Sequence, residues 1–363
     1  METLIYGAGN NGKLALDLLE NDYKLKQNIV GFVDMNKSGK YQDYPIFKLE
    51  EVKHFKGMIV IAIVDFEIAK DICGLLKKEG FKHIFWFQFK RGVTRFENFF
   101  IEQCSDCKAW TGSILQQVEM HIMDSCNLNC RGCAHFSPIF PNTLPELSSR
   151  LSDVKMIKEK FSHIIKFYLL GGEPFLNPEI NKYICEIREL LPDSELYIVT
   201  NGLLIEKLPK ETLECIKDNH VWISISEYKP TSKKIHTICD ILNKYKILFE
   251  IRRAKDRQKF CLPLSLSEES KYPRTCISSI CVTIWNGKIS RCPQLMYISY
   301  FNTYFNTHLP ESGVMELKNC ATGDDLLAIL KEDVPLCRHC VKNEIEWEIC
   351  GRTPKLEDFA VND

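Results

Sequence analysis

The feature that most constrains this chain is a set of three cysteines in the segment Asp124-Ser-Cys126-Asn-Leu-Asn-Cys130-Arg-Gly-Cys133. It follows directly on an apolar stretch, residues 118–123, that reads as a β-strand. A short loop with intervals of three and two residues can gather three thiolates around one compact centre. Thiolates are the ligands of iron–sulfur clusters, and three of them leave one iron of a four-iron cubane without a protein ligand, open to a substrate or cofactor. Zinc and unliganded core cysteine are the alternatives. The chain has 17 cysteines, and its amino end METLIYGAG shows no basic segment or signal-type apolar stretch. A cytoplasmic, reducing location is therefore expected, where closely paired cysteines point to metal or redox chemistry before disulfides.

The surroundings of the triplet alternate between strand and helix patterns. Ahead of it, residues 3–6, 29–33, 58–64 and 83–87 read as strands and 10–20 and 66–79 as helices, a small α/β unit. From 91 to 111 the pattern is lost, and this stretch, with Cys104 and Cys107, reads as a linker whose cysteine pair is metal-binding, redox-active or merely packed. Further on, 118–123, 166–170, 195–200, 221–226 and 247–251 are short apolar strands, separated by helix-length stretches such as 178–190 and 232–245. Repeated strand–helix units imply parallel strands, and five or six suit a partial (βα) barrel with its chemistry beyond the carboxyl ends of the strands. The expected division is 1–95, a linker over 96–114, a barrel over 115–270 and a tail over 271–363. Lys+Arg number 47 against Asp+Glu 48, a net charge of -1, so no polybasic excess suggests nucleic acid. The longest unbroken aliphatic run, 58–64, is too short to cross a bilayer.

A second motif stands at the end of the next strand, where Phe167-Tyr-Leu-Leu170 runs into Gly171-Gly172-Glu173-Pro174. Together, Cys-x3-Cys-x2-Cys and GGEP resemble the radical S-adenosylmethionine (SAM) superfamily, over roughly residues 117–253. The resemblance implies a partial (βα)6-type barrel in an α/β fold. It implies that Cys126, Cys130 and Cys133 hold a [4Fe–4S] cluster whose open iron chelates SAM, and that an electron passed to the sulfonium releases a 5′-deoxyadenosyl radical. The two glycines would let backbone approach a ligand closely, and Glu173 would accept a charge-assisted hydrogen bond from the methionyl amine. Thr200, Asn201 and Ser226 stand where the family places polar contacts to SAM. Gly132 departs from the pattern, since many members carry an aromatic residue there, which bears on adenine packing. His135, two residues past the triplet, reads either as a substrate-facing or cluster-tuning group or as an ordinary loop histidine.

The tail is rich in cysteine: Cys276, Cys281, Cys292, Cys337, Cys340 and Cys350. Residues 282–291 read as a hairpin around an Asn286-Gly287 turn. In that register Trp285 pairs with Lys288, Cys281 falls opposite Cys292, and Val282, Ile284 and Ile289 turn to the other face. This looks like the SPASM or twitch extension of radical SAM enzymes, which implies one auxiliary [4Fe–4S] cluster drawn from these six cysteines, with Cys276, Cys292, Cys337 and Cys340 as the working set. Where the full SPASM pattern has a further cysteine this chain has Glu346, which argues against a second auxiliary cluster. A zinc knuckle is the alternative. Cys73, Cys185, Cys215, Cys239 and Cys261 stand singly in apolar patterns and read as core fillers.

At the amino end, Gly7-Ala-Gly9-Asn-Asn-Gly12 follows a strand and opens a helix, and Asp34 ends the next strand, the context of a dinucleotide-binding unit. A Rossmann-like scaffold that only packs is the alternative. The order IYGAGNNG, GFVDMN, IVIAI resembles the amino-terminal domain of bacterial nucleotide-sugar acyltransferases, which implies a nucleotide-sugar ligand. The expected protein is an enzyme that takes hydrogen from a small-molecule substrate, a nucleotide-linked sugar or surface-polysaccharide precursor, with flavodoxin or ferredoxin as electron donor. A peptide-modifying maturase and a non-catalytic iron–sulfur carrier or redox sensor are the competing readings.

Overall fold

The computed structural model describes residues 1–21, 24–63, 65–89, 99–103, 113–141, 143–252, 259–268, 281–320 and 322–361. The chain divides into two compact units, Met1–Trp110 and Thr111–Asp363. The first contains β1 (Thr3–Tyr6), α1 (Asn10–Asn21), β2 (Ile29–Val33), β3 (Gly39–Tyr41), β4 (Tyr44–Phe47), β5 (Met58–Ile61), α2 (Phe66–Lys78), β6 (His83–Phe89) and β7 (Phe99–Gln103). These strands form one sheet in the order β3-β4-β2-β1-β5-β6-β7. The strands from β4 to β6 are parallel, and β3 and β7 close the edges antiparallel. Ile5, Phe32 and Val60 of the sheet and Ala15, Leu16 and Leu19 of α1 make its core. Since β7 falls inside 96–114, that stretch is not a plain linker; its Phe-Phe-Ile-Glu-Gln lacks period-two alternation, and pairing with β6 defines the strand. Cys104 and Cys107 lie outside the described residues.

The second unit opens with β8 (Ile114–Met123), α3 (Leu147–Lys160), β9 (His163–Gly171), α4 (Ile180–Leu190), β10 (Glu195–Thr200), α5 (Lys210–Asp218), β11 (Trp222–Ser226), α6 (Lys229–Ser232), α7 (Ile235–Lys244) and β12 (Phe249–Arg252). The strands β8 to β12 are neighbours in chain order and all parallel. β8 begins before residue 118 because Gln116 and Gln117 interrupt the apolar run without breaking the strand. After β12 the order departs from six consecutive βα units. β13 (Lys259–Ser265) leaves for a separate sheet, and the sixth parallel strand, β14 (Thr283–Trp285), joins beside β8 at the opposite edge from β12. β15 (Lys288–Ser290) and β16 (Met315–Glu316) extend that edge antiparallel, while β17 (Cys340–Glu346) and β18 (Ala360–Val361) flank β13. The tail is thus no third domain: its hairpin is part of the sheet that carries the triplet.

The hairpin has the expected register, Trp285 opposite Lys288, around a turn in which Asn286 and Gly287 have φ of 49° and 75°. Two positive φ angles match the right-handed twist of the flanking strands. Ile284 and Ile289 are buried in the main core, whereas the ladder stops at Thr283 and Ser290, short of Cys281 and Cys292. Cys185 is exposed and its sulfur lies 3.8 Å from that of Cys215 across α4 and α5, so the first of these is not a core filler.

The two faces of the β8–β12 sheet differ. Val118, Met120, Ile122, Phe167, Leu169 and Ile198 pack with Val154, Ile157, Ile184, Ile187 and Ile216 of the helices. The alternate residues Glu119, His121, Tyr197, Ser224, Ser226 and Glu250 are polar and equally buried. A parallel sheet covered on both faces ordinarily carries apolar residues on both. Polar side chains on one of them mean that this face surrounds a polar chamber. Among the described residues no helix is long and apolar enough to cross a membrane.

Glycine spacing in the first unit gives a contrast that can be measured. A Cβ on Gly12 would lie 2.0 Å from the Gly7 carbonyl oxygen, while one on Gly9 would meet nothing within 4 Å. Gly12→Ala should therefore destabilise the protein by about 1–3 kcal/mol, because the overlap is with backbone. Gly9→Ala should stay within about 0.5 kcal/mol of the parent. Urea unfolding of both variants checks this, and equal loss in the two would show that the turn tolerates no side chain anywhere.

Candidate functional site

The triplet lies on the loop that leaves β8, and its path is set by backbone contacts on two sides. On one side β9 ends at Gly171, with φ of 138°, where a Cβ would lie 1.9 Å from the carbonyl oxygen of Met123; on Gly172 it would lie 2.0 Å from that of Ser125. The Gly172 N–H donates to Met123 (2.8 Å) and the Glu173 N–H to Ser125 (2.9 Å). The glycine pair therefore holds the cysteine loop itself, a role beyond the ligand approach expected of it. On the other side, Arg131 N–H donates to the Glu348 carbonyl (2.9 Å), Gly132 N–H to that of Asp358 (2.6 Å), and Cys350 N–H to that of Asn129 (2.7 Å). Arg131 also pairs with the carboxylates of Glu348 and Asp358, each at 2.9 Å.

Cys126, Cys130 and Cys133 line one cavity of about 300 Å³, a volume at the lower end of small-molecule sites. Its wall also includes Gly171, Gly172, Thr200, Asn201 and Ser226, so the two motifs and the polar strand ends converge on one space. Burial pushes the Cys126 thiol up to about 11 and the Cys130 thiol higher still, and Cys133 adds to both. Cys126 and Cys130, held protonated by burial and by the sulfur of Cys133 beside them, form with it a donor set that a cationic centre would relieve, since metal ligation requires thiolates. The residues present therefore fit an iron–sulfur cluster.

Glu173 is placed differently from the sequence expectation. It is fully buried and lies behind the wall of the cavity, not in it. Its carboxylate accepts from the Thr200 hydroxyl (2.7 Å), the Asn201 N–H (2.9 Å) and the Phe175 N–H (3.2 Å). Burial pushes it up to about 7 although these bonds favour the ionised form. The bonds pin the end of β10, whose Asn201 amide in turn donates to Asn127 in the cysteine loop at 2.7 Å. Glu173 thus positions two of the polar residues that face the cavity.

Sequence reasoning missed several wall residues. Glu119, Tyr168 and Arg252 come from the polar face of the sheet, and Tyr228 from the turn after β11. Glu119 accepts from the Thr283 hydroxyl at 2.8 Å, and burial pushes its carboxyl up to about 8. An acidic residue inside the apolar run Val-Glu-Met-His-Ile was the available signal. His135 also lines the cavity; its Nδ1 meets Nε2 of His121 at 2.8 Å, and His121 Nδ1 stands 3.3 Å from Asp124. Burial lowers the proton affinity of both imidazoles.

The tail cysteines separate. Cys281 lines the same cavity, with the Gln117 amide 3.9 Å from its sulfur, and Cys350 is near enough to Cys130 and Cys133 to interact electrostatically with them. Cys292 precedes the helix Pro293–Phe305, Cys337 is buried, and Cys340 begins β17. Cys276 lies outside the described residues, and among those described no group of three or more His, Cys, Asp or Glu is arranged to hold a single metal ion. In the first unit, Gly7 has φ of 109°, as the tight turn requires, and Gly12 packs α1 on the turn. Asp34 does not stand free: it accepts from the Ala8, Asn36 and Lys37 N–H groups, each at 2.9 Å. Partial burial alone would raise its carboxyl, but these three bonds keep it below the usual range.

Residues 120–258 match the Radical SAM superfamily. GTP 3′,8-cyclase from Microcystis aeruginosa is 29% identical over 103 residues, 28% of this chain and 31% of the relative. The enzyme of the same name from Clostridium acetobutylicum is 32% identical over 103 residues, again 28% and 31%. The chain thus spans about a third of the length of these curated relatives. Among solved structures, BtrN in complex with AdoMet and 2-DOIA aligns with 69% of this chain and 99% of its own, at 13% identity and a TM-score of 0.41. AdoMet-bound anSMEcpe aligns with 38% and 43%, at 21% identity and a TM-score of 0.33. The matched segment contains the cysteine triplet, the glycine pair and the polar ends of β10 and β11.

Proposed function

We propose that the protein is a radical SAM enzyme in which Cys126, Cys130 and Cys133 hold the [4Fe–4S] cluster. The observation that carries this is the convergence of the three thiols, the glycine pair and the polar ends of β10 and β11 on one cavity. When bound, the cluster supplies an electron to the sulfonium of SAM and so generates a carbon radical able to take hydrogen from a substrate. The chain's own residues have separate tasks. Gly171 and Gly172 fix the path of the cysteine loop. Glu173 holds Thr200 and Asn201 in the direction of the cavity, where they and Ser226 offer hydrogen bonds to SAM. The buried polar face, with Glu119 and Tyr168, shields the reacting end from bulk water and presents it with hydrogen-bonding groups.

The proposed substrate is a nucleotide-linked sugar or related polysaccharide precursor, and an auxiliary cluster on the tail cysteines, Cys276, Cys292, Cys337 and Cys340 among them, belongs to the same proposal. Support for the nucleotide comes from the first unit, where Gly9 leaves open space at the mouth of α1 beside backbone N–H groups suited to a phosphate. The curated relatives are themselves named for a nucleotide substrate, GTP. Asp34 would act there by shaping the glycine loop.

Three outcomes test this reading. Anaerobically reconstituted, reduced protein should form 5′-deoxyadenosine from SAM, and alanine at Cys126, Cys130 or Cys133 should remove about four irons and all cleavage; cleavage surviving in any one variant refutes the ligand set. Glu173→Ala leaves the Thr200 hydroxyl and Asn201 N–H without their acceptor, a cost of roughly 1–3 kcal/mol. It should retain iron, melt earlier and bind SAM more weakly in equilibrium titration; unaltered SAM affinity would remove Glu173 from this role. Calorimetric titration of the whole protein with UDP-sugars and with NAD should give binding to the sugars, lost in Gly9→Val while iron and SAM cleavage persist. Binding of neither ligand would leave the first unit as a packing scaffold.

A further inference from the structure

The segment that follows β17 runs back along the cysteine loop as a short antiparallel partner. Cys130 bridges to Ile349, and the Arg131–Glu348 and Cys350–Asn129 backbone bonds flank that bridge. This pairing brings the side chain of Trp347 over the triplet. The indole is 5% exposed, packs against Leu128 and Cys130, and stacks on Tyr228 with ring centroids 5.4 Å apart at 20°. Its Nε1–H donates to Sγ of Cys130 at 3.2 Å.

An indole has a single donor and no acceptor, and a buried one usually has a partner. A neutral thiol is a weak acceptor and would compensate poorly for the lost water. A metal-bound thiolate is a charged acceptor, and the same contact then becomes a charge-assisted hydrogen bond. Such a bond withdraws electron density from the sulfur and stabilises the more electron-rich, reduced state of the centre, because hydrogen bonds to ligand sulfurs set the reduction potentials of iron–sulfur clusters.

We infer that Trp347 is a positioning residue that raises the reduction potential of the cluster through its N–H···S bond to Cys130. The inference rests on the reading that Cys130 ligates the cluster. It links the carboxyl-terminal segment to the electron transfer that the site performs: a cluster with this bond is easier for a donor to reduce and a milder reductant toward the sulfonium. Tyr228, stacked on the same indole, is itself part of the cavity wall, so the ring that carries the donor is braced from the side where SAM would bind.

The test is an EPR-monitored redox titration of full-length, anaerobically reconstituted protein, following the signal that Cys130→Ala abolishes. Trp347→Phe keeps an aromatic ring on the Tyr228 side and removes the N–H together with the five-membered ring that carries it. Iron content should match the parent and the midpoint should become more negative, so that the fraction reduced at the parent's midpoint falls severalfold. An intact cluster with an unmoved or more positive midpoint overturns the inference. Should the variant lose its cluster, the parent labelled with indole-15N tryptophan decides: the reduced cluster should show a 15N hyperfine coupling, and none would overturn the inference. If no reducible signal depends on Cys130, the underlying ligand assignment fails and takes this inference with it, an outcome distinct from a Cys130-dependent signal that does not respond to Trp347.

Discussion

Everything at the site depends on how closely two backbones approach, where Gly171 and Gly172 meet Met123 and Ser125. At these positions there is no room for a Cβ, and the space that side chains would fill is occupied by carbonyl oxygens of the cysteine loop. Two N–H···O bonds across the gap turn the end of β9 into a partner for the loop that leaves β8. The cysteines acquire a defined arrangement because the strand beside them has no side chains there. A substitution at either glycine would be felt first as a displaced loop and only then as a chemical defect.

The sheet supplies the second condition. Each strand from β8 to β12 turns one set of alternate residues to the helices and the other to a polar interior. The burial of Glu119 and Glu250 among aromatic and hydroxyl groups is costly, and it is tolerated because partners are built in: Thr283 donates to Glu119, and Ser224 to Glu250 at 2.7 Å. The stacked rings of Tyr168, Tyr197 and Trp222, on three neighbouring strands, add a rigid flank to that interior. Stability comes from the apolar face and chemistry from the other, and strand alternation keeps the two apart.

Much of this was legible in the sequence. The triplet, GGEP, the βα alternation and the Asn-Gly hairpin are local signals, and the hairpin fixed its own register because a two-residue turn leaves no freedom. What could not be read was non-local. β14 joins beside β8 and not beside β12, and no motif records that choice of edge. β7 exists by virtue of β6. Glu173 was assigned to a ligand because its motif invites that, whereas two of its three protein donors, Thr200 and Asn201, come from a strand end that only the fold brings beside it. Trp347 carries no spacing signal at all, since its partner lies far back in the chain.

That last separation governs the order in which the site can form. The cysteine loop is bounded on one side by β9, which follows it closely in the chain, and on the other by Trp347, Glu348, Cys350 and Asp358. Contacts so distant in sequence carry the largest loop-closure cost and arise late in folding. During synthesis the three thiols therefore emerge well before the segment that bounds this side of their loop.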